Sequence, residues 1–405
     1  MKTALKVLGV LVLLVVLAAG GFAAYIQITG IPRYPTQRID LKVEVTPERV
    51  AQGRKIANML CMECHRDPTT QKLTGKRMAD VPPQFGVAYS LNITQDPVKG
   101  IGAWTDGELA FLLRTGIARD GRYTPPWMPK FPRASDEEVA SMIAFLRSDD
   151  PAVQAAAVDD RPSEATFFMK FLTRVAFKPF AYPTQPIPPP PTDPVGLGKH
   201  LALNVLDCYA CHSADFATND ENDPAKSKGF FGGGNVMLDA NGKPMPTANI
   251  TMDPATGIGK WTEDEFVRAV RGAFRPDNTP LLYPMPVYVE LEDAEVRAIY
   301  AYLKTVPPIA HAVQRAPRGV IPPDATDGKK VYYKYSCQSC HGETGVGLCD
   351  LREGAKKHPT DEDLIAFIKH PAQSVPGSKM PAWDGVIQDS EYLPLVEYVR
   401  SLSGS

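Results

Sequence analysis

The sequence predicts a mainly α-helical protein, an N-terminal transmembrane helix followed by three small helical domains. Three observations carry this. One long uncharged apolar stretch opens the chain. The pattern Cys-x-x-Cys-His occurs at Cys61–His65, Cys208–His212 and Cys337–His341, 147 and 129 residues apart in a chain of 405. Apolar residues elsewhere recur at helical spacing, and no stretch shows sustained two-residue alternation.

The opening element runs from Val7 to Ala24 without a charge. That is about 27 Å of helix at about 1.5 Å per residue, against a hydrocarbon thickness of roughly 30 Å. Lys2 and Lys6 precede it, which puts the N-terminus in the cytoplasm and the rest of the chain outside. Small residues at Ala18, Ala19, Gly20, Gly21, Ala23 and Ala24 fit the rival reading of a cleaved signal peptide. The stretch is long for such a peptide, which favours a retained anchor. Either way residues 1–28 export the chain, and the expected location is the bacterial inner membrane with the remainder in the periplasm.

Each Cys-x-x-Cys-His is the attachment signal for a c-type haem. Two thiols bond to the vinyl groups and the adjacent imidazole sits under the iron. The expectation is three covalent haems, attached at Cys61 and Cys64, Cys208 and Cys211, and Cys337 and Cys340, with His65, His212 and His341 on the irons. Zinc knuckles or disulfides are the competing uses, and threefold recurrence with a domain-sized segment behind each copy disfavours them. The seventh cysteine, Cys349, reads as a lone thiol in a packing role. A net charge of −2 and the lack of a long basic run exclude a nucleic-acid protein.

The first two segments are copies. Residues 92–146 and 249–303 align at a constant offset of 157 with 20 identities in 55 positions. Asn92-Ile93-Thr94 recurs as Asn249-Ile250-Thr251, and Gly100-Ile101-Gly102-x-Trp104-Thr105 as Gly257-Ile258-Gly259-x-Trp261-Thr262. The same offset pairs Met128-Pro129 with Met285-Pro286. A thioether is the usual sixth ligand of a cytochrome c iron and raises its potential. Surrounding prolines keep both methionines out of helix. Met128 and Met285 are therefore the predicted sixth ligands. Met78, Met142, Met237, Met245 and Met252 lack this recurrence and are assigned to core or surface.

Helix starts follow the same order. Thr46-Pro47 opens a helix leading to Cys61. Thr105–Glu108, Thr262–Glu265 and Ser135–Glu138 are capping boxes. Val139, Met142, Ile143 and Leu146, and later Val296, Ile299, Tyr300 and Leu303, form one apolar face each. The third segment is more compact. Asp327–Val331 leads into Cys337, Thr360–Asp363 caps a helix, and Leu395, Tyr398, Val399 and Leu402 close it. Met380, in the loop Pro376–Trp383, is its predicted sixth ligand. His358 and His370, each followed by proline, are rivals.

The domain boundaries expected are 40–182, 195–306 and 324–405. Proline-rich linkers at 183–194 and 307–323 are expected to act as stiff spacers. Phe167–Phe180, apolar with three basic residues, suits a membrane surface, a partner or a helix packed between the first two domains, and the last is favoured. Gly232–Gly234 lacks the context of a phosphate loop.

The run Asn-Ile-Thr-x-Asp-x3-Gly-Ile-Gly-x-Trp-Thr, an acidic helix start and a Met-Pro loop resemble the membrane-associated three-haem cytochrome c subunit of bacterial alcohol, gluconate and sugar dehydrogenases. The resemblance covers roughly residues 46–147 and 195–305. The third domain resembles a generic small class I cytochrome c. The resemblance implies three cytochrome c domains that take electrons from a dehydrogenase partner and pass them to membrane quinone or another acceptor, without catalysing a reaction on an organic substrate. It implies iron ligation by His65, His212 and His341 and by Met128, Met285 and Met380. A second reading is a relay between a quinol-oxidising respiratory complex and a terminal oxidase or photosynthetic centre, with a soluble cytochrome as a further partner. A haem peroxidase would need an open sixth site, which the methionine loops disfavour.

Overall fold

The computed structural model is mainly helical and describes residues 2–78, 81–239, 242–314, 320–346, 350–375 and 378–402. Cys349, Pro376 and Gly377 lie outside the described residues. Helix α1 (Lys2–Thr29) is the one described helix long and apolar enough to cross a membrane, and its apolar stretch is unburied until Ile26.

Three large buried apolar clusters follow, one around each Cys-x-x-Cys-His segment, with a smaller one of Met78, Val81 and Ala88 beside Cys64. In the first, α2 (Pro47–Met59) starts at Thr46, whose hydroxyl accepts from the Arg49 amide at 3.3 Å. It does not run on into the motif. The chain breaks at Leu60, and α3 (Cys61–His65) is a turn of its own. Helices α4 (Asp106–Thr115) and α5 (Asp136–Leu146) begin with complete capping boxes, Thr105 with Glu108 and Ser135 with Glu138. Strands β1 (Arg77–Met78), β2 (Gly86–Tyr89) and β3 (Glu164–Ala165) form an antiparallel sheet in that order, with Arg77 opposite Tyr89 and Gly86 opposite Ala165.

Helix α6 (Phe167–Val175) departs from the sequence expectation. It packs on α1 and on the turn Pro83–Phe85 of the first segment rather than between the first two clusters. Its buried face is only Met169 and Thr173, one turn apart, too narrow to serve two clusters. Arg174 instead donates to the Gly30 carbonyl at 2.8 Å and to the Thr29 hydroxyl at 2.5 Å.

The second cluster is built by α7 (Pro194–His200), a π-helical turn (Leu201–Val205), α8 (Cys208–His212), the hairpin β4 (Val236–Leu238) with β5 (Pro244–Pro246), α9 (Glu263–Gly272) and α10 (Asp293–Leu303). The offset of 157 recurs in the hydrogen bonds. Phe131 donates to the Leu113 carbonyl and Tyr288 to Val270, at 2.7 and 3.0 Å. The third cluster comprises α11 (Asp327–Lys334), α12 (Gln338–His341), α13 (Leu351–Lys356), α14 (Asp361–Lys369), α15 (Pro371–Ser374) and α16 (Asp389–Ser401).

One crossing is common to all three. The helix ahead of the motif packs on the last helix of its segment: α2 on α5, α7 on α10, α11 on α16. At each contact stands a glycine, Gly53, Gly198 or Gly328, where a Cβ would overlap the carbonyl oxygen of Ser141, Ala298 or Pro394. These glycines lie eight, ten and nine residues before the first motif cysteine. The π-helical turn takes up extra length in the second segment.

The segments are joined by specific contacts. Met59 belongs to the second cluster, and Lys55 pairs with Glu295 at 2.6 Å. Buried His200 bonds Glu138 at 2.9 Å. Phe274, from the second segment, is buried in the third cluster edge-on to Trp383, with ring centroids 5.0 Å apart. The first proline-rich connector lies on α5, where Ile187 and Asp136 exchange hydrogen bonds of 3.0 and 3.1 Å.

Candidate haem centres

The first two motifs place their histidines by the same device. The His65 Nδ1 lies 2.7 Å from the Leu91 carbonyl, and the His212 Nδ1 lies 2.8 Å from that of Ala248. An acceptor at Nδ1 fixes the tautomer with the proton there, the form in which Nε2 can ligate a metal. The carbonyls are held by the residues that follow them. Asn92 Oδ1 accepts from the Thr94 amide and hydroxyl at 3.0 and 2.7 Å, while its Nδ2 donates to Ala156 at 2.8 Å. Asn249 repeats this with Thr251 at 3.0 and 2.7 Å and with Ile309 at 2.7 Å. The Asn-Ile-Thr repeat is thus a buried clamp that positions the carbonyl ahead of it. Ser90 and Thr247, also 157 apart, donate to the Cys64 and Cys211 carbonyls at 2.6 and 2.8 Å. These supports were invisible as site residues in the sequence, because a backbone acceptor leaves no side-chain signature. The recurrent Asn-x-Thr was the signal that could have found them.

Burial sets the protonation of the motif side chains. It lowers the His65 pKa and brings that of His341 down to about 4, so both imidazoles are neutral near pH 7. It pushes the thiols of Cys61 and Cys211 up to about 11 and those of Cys208 and Cys337 up to about 12. All six motif cysteines are free of disulfides. Among the described residues no three His, Cys, Asp or Glu side chains gather as a bare metal ion would require. Neutral imidazoles and cysteines outside any disulfide, flanking apolar clusters, fit a covalently tethered apolar macrocycle rather than a zinc knuckle or a disulfide.

The methionines complete the pattern. Met128 packs on the cluster that includes Cys61, Met285 on that with Cys208, and Met380 on that with Cys337. Met128 donates its amide to the Pro125 carbonyl at 3.1 Å and Met285 to the Leu282 carbonyl at 3.0 Å, so both sit at the same point of equivalent turns. The Met380 amide instead bonds the Ser378 hydroxyl at 3.3 Å. Its rivals are engaged elsewhere. His358 stacks on Phe367 with centroids 4.4 Å apart, and His370 faces Asp384 at 3.8 Å. Met142 lies in the first core as expected.

The three sites adjoin one another. The Tyr283 amide, two residues before Met285, hydrogen-bonds the Cys340 thiol. Glu63, inside the first motif, pairs with Lys379, beside Met380, at 2.8 Å. Met62, Glu63, Arg66, Glu290, Ser378 and Lys379 line a cleft of about 300 Å³ where the segments meet. Tyr288 is buried beside Cys208 and Cys211, and that burial raises its phenol pKa well above the usual value.

Comparison with known proteins agrees with this geometry. Residues 323–399 match the family described as cytochrome c oxidase, cbb3-type, subunit III. Over 396 residues, 88% of this chain and 81% of the relative, the sequence is 25% identical to the cytochrome c subunit of the quinone alcohol dehydrogenase of Gluconacetobacter polyoxogenes. It is 27% identical over 384 residues, 85% of the chain and 83% of the relative, to the gluconate 2-dehydrogenase cytochrome c subunit of Pantoea cypripedii. Its homologues are the cytochrome c subunits of dehydrogenases. A further relative, a nicotinate dehydrogenase subunit of Pseudomonas putida, is 30% identical over 375 residues. That match takes in 86% of this chain but only 30% of the longer relative. Covalent haem c and electron transport come with the cytochrome c assignment.

Proposed function

We propose that the chain is a membrane-anchored periplasmic electron-transfer subunit with three cytochrome c domains, at residues 40–182, 195–306 and 324–405. Each carries one haem: at Cys61, Cys64 and His65; at Cys208, Cys211 and His212; and at Cys337, Cys340 and His341. The observation that carries this reading is that each of the three large apolar clusters is packed against by the first cysteine of one motif and by one Met-Pro methionine, Cys61 with Met128, Cys208 with Met285 and Cys337 with Met380. When bound, each haem supplies a one-electron iron couple. The chain's residues do the rest. The carbonyls of Leu91 and Ala248 orient His65 and His212, the clusters exclude water, and Met128, Met285 and Met380 would join the histidines in holding the irons. An iron held by both a histidine and a methionine would pass electrons rather than bind a substrate. The contacts of Tyr283 with Cys340 and of Glu63 with Lys379 hold the sites side by side, as a relay requires.

The donor in this reading is a dehydrogenase catalytic subunit, and the acceptor is membrane quinone or a soluble cytochrome. Helix α1 anchors the chain in the bacterial inner membrane through residues 7–24. Isolation of the protein from its native membrane with bound partners identified by mass tests the assignment. A dehydrogenase subunit is expected. Recovery of a quinol-oxidising or terminal oxidase complex in its place would overturn it in favour of the respiratory relay.

A further inference from the structure

Helix α6 is unused by the electron-transfer reading, and its position is informative. It docks on the last turn of α1. Lys170 Nζ donates to Gln27 at 3.3 Å, and Arg174 bonds Thr29 and Gly30 while its guanidinium lies 4.9 Å from the Tyr25 ring centroid. Ile26 is the one buried residue among those described in α1. If the span begins at Val7, about 20 helical residues fill the hydrocarbon core, and its outer edge falls near Ile26. The docking site of α6 is therefore at the depth of the headgroups.

The two sides of α6 differ. Met169 and Thr173 face the protein and are fully buried. Phe168, Phe171, Leu172 and Val175 fall on another face at i, i+3, i+4 and i+7; Phe168 stacks one side of its ring on Phe85 at 6.0 Å and is still 48% exposed, and Val175 is 50% exposed. Lys170 and Arg174 lie beside that face, and Lys178 follows three residues past the helix end with its amine bonded to the Arg174 carbonyl. An apolar stripe flanked by basic residues is the pattern of a helix lying in a membrane surface. Lysine and arginine at that depth are attracted to anionic headgroups.

We propose that α6 is an interfacial helix seated in the headgroup–acyl boundary of the membrane that α1 crosses. Phe168, Phe171, Leu172 and Val175 enter the lipid, and Lys170, Arg174 and Lys178 lie at the phosphates. Together α1 and α6 fix the tilt of the haem-bearing part, which a single helix leaves free to swing. The proposal rests on α1 being a retained anchor.

The test uses the full chain with its haems in nanodiscs of phosphatidylglycerol and phosphatidylethanolamine, doped with a phospholipid bearing a photoreactive diazirine on its acyl chain. Adducts are mapped by peptide mass spectrometry. Adducts are expected on α1 and on residues 167–175, and F168E/V175E is expected to lose the second set while keeping the first and its haem spectrum. Adducts on α1 without any on α6 would overturn the proposal and leave the apolar stripe to a protein partner. Absence of adducts on α1 would instead overturn the anchor reading on which it rests.

Discussion

A histidine beside two cysteines becomes a useful ligand only when its ring is held, and in this chain backbone carbonyls do the holding. Leu91 and Ala248 fix His65 and His212, and Asn92 and Asn249 fix those carbonyls in turn. The opposite axial side is where ligation is most directly tested. Met285→Ala should turn the second haem high-spin and lower its potential, read by absorption spectroscopy and redox titration. An unchanged spectrum would remove Met285 as a ligand. The cysteines, histidines and paired methionines were legible because Cys-x-x-Cys-His and a constant offset mark them. The carbonyl supports were not, since Leu91 and Ala248 share only a position. Nor was the role of His200, which depends on a partner 62 residues away. Burial pushes the Glu138 carboxyl pKa up, but the His200 hydrogen bond and charge, with the Ser135 bonds, bring it below the usual value. A lowered carboxylate pKa contributes stability that is present above the unfolded value, about 4.5, and lost as pH falls through the folded one. Glu138→Gln should therefore cost about 1.5–3 kcal/mol near neutrality by weakening a buried hydrogen bond to a carboxylate. In thermal melts its deficit against the parent should shrink below about pH 4. A deficit constant with pH would show that the pair's charge is irrelevant.

Among the elements, the glycine crossing links the divergent third segment to the two copies. Sequence identity faded there, and the methionine loop is spaced differently, yet α11 meets α16 as α2 meets α5. The physical requirement is close approach of two backbones, which constrains one residue and leaves the rest free to drift. That is why the capping boxes and amphipathic faces were readable while the shared crossing was not. Gly328→Ala places a methyl against the Pro394 carbonyl. Overpacking of this kind should cost about 1–3 kcal/mol, measured by denaturant unfolding followed through the haem band. No loss of stability would mean that α16, already carrying Pro394, yields at that point. Helix α6 was misplaced for a related reason. Its composition fits several apolar settings, and only the acceptors at Thr29 and Gly30 select one.

At the scale of the whole molecule, contacts between segments matter as much as those within them. Phe274, Glu63 and Tyr283 each reach from one Cys-x-x-Cys-His segment into another, and none of these pairings follows from periodicity or motif. The proline-rich connector after Tyr182 read as a spacer, yet Ile187 binds it to Asp136. A relay gains from this arrangement because fixed separation, not flexible encounter, then governs the passage of each electron. All of it presupposes that every motif is loaded. The most direct measurement is the number of covalently bound haems per chain, by intact-protein mass combined with quantitative haem absorption. Three haems retained under denaturing conditions is the result expected. Two or fewer on a fully matured protein would contradict the account.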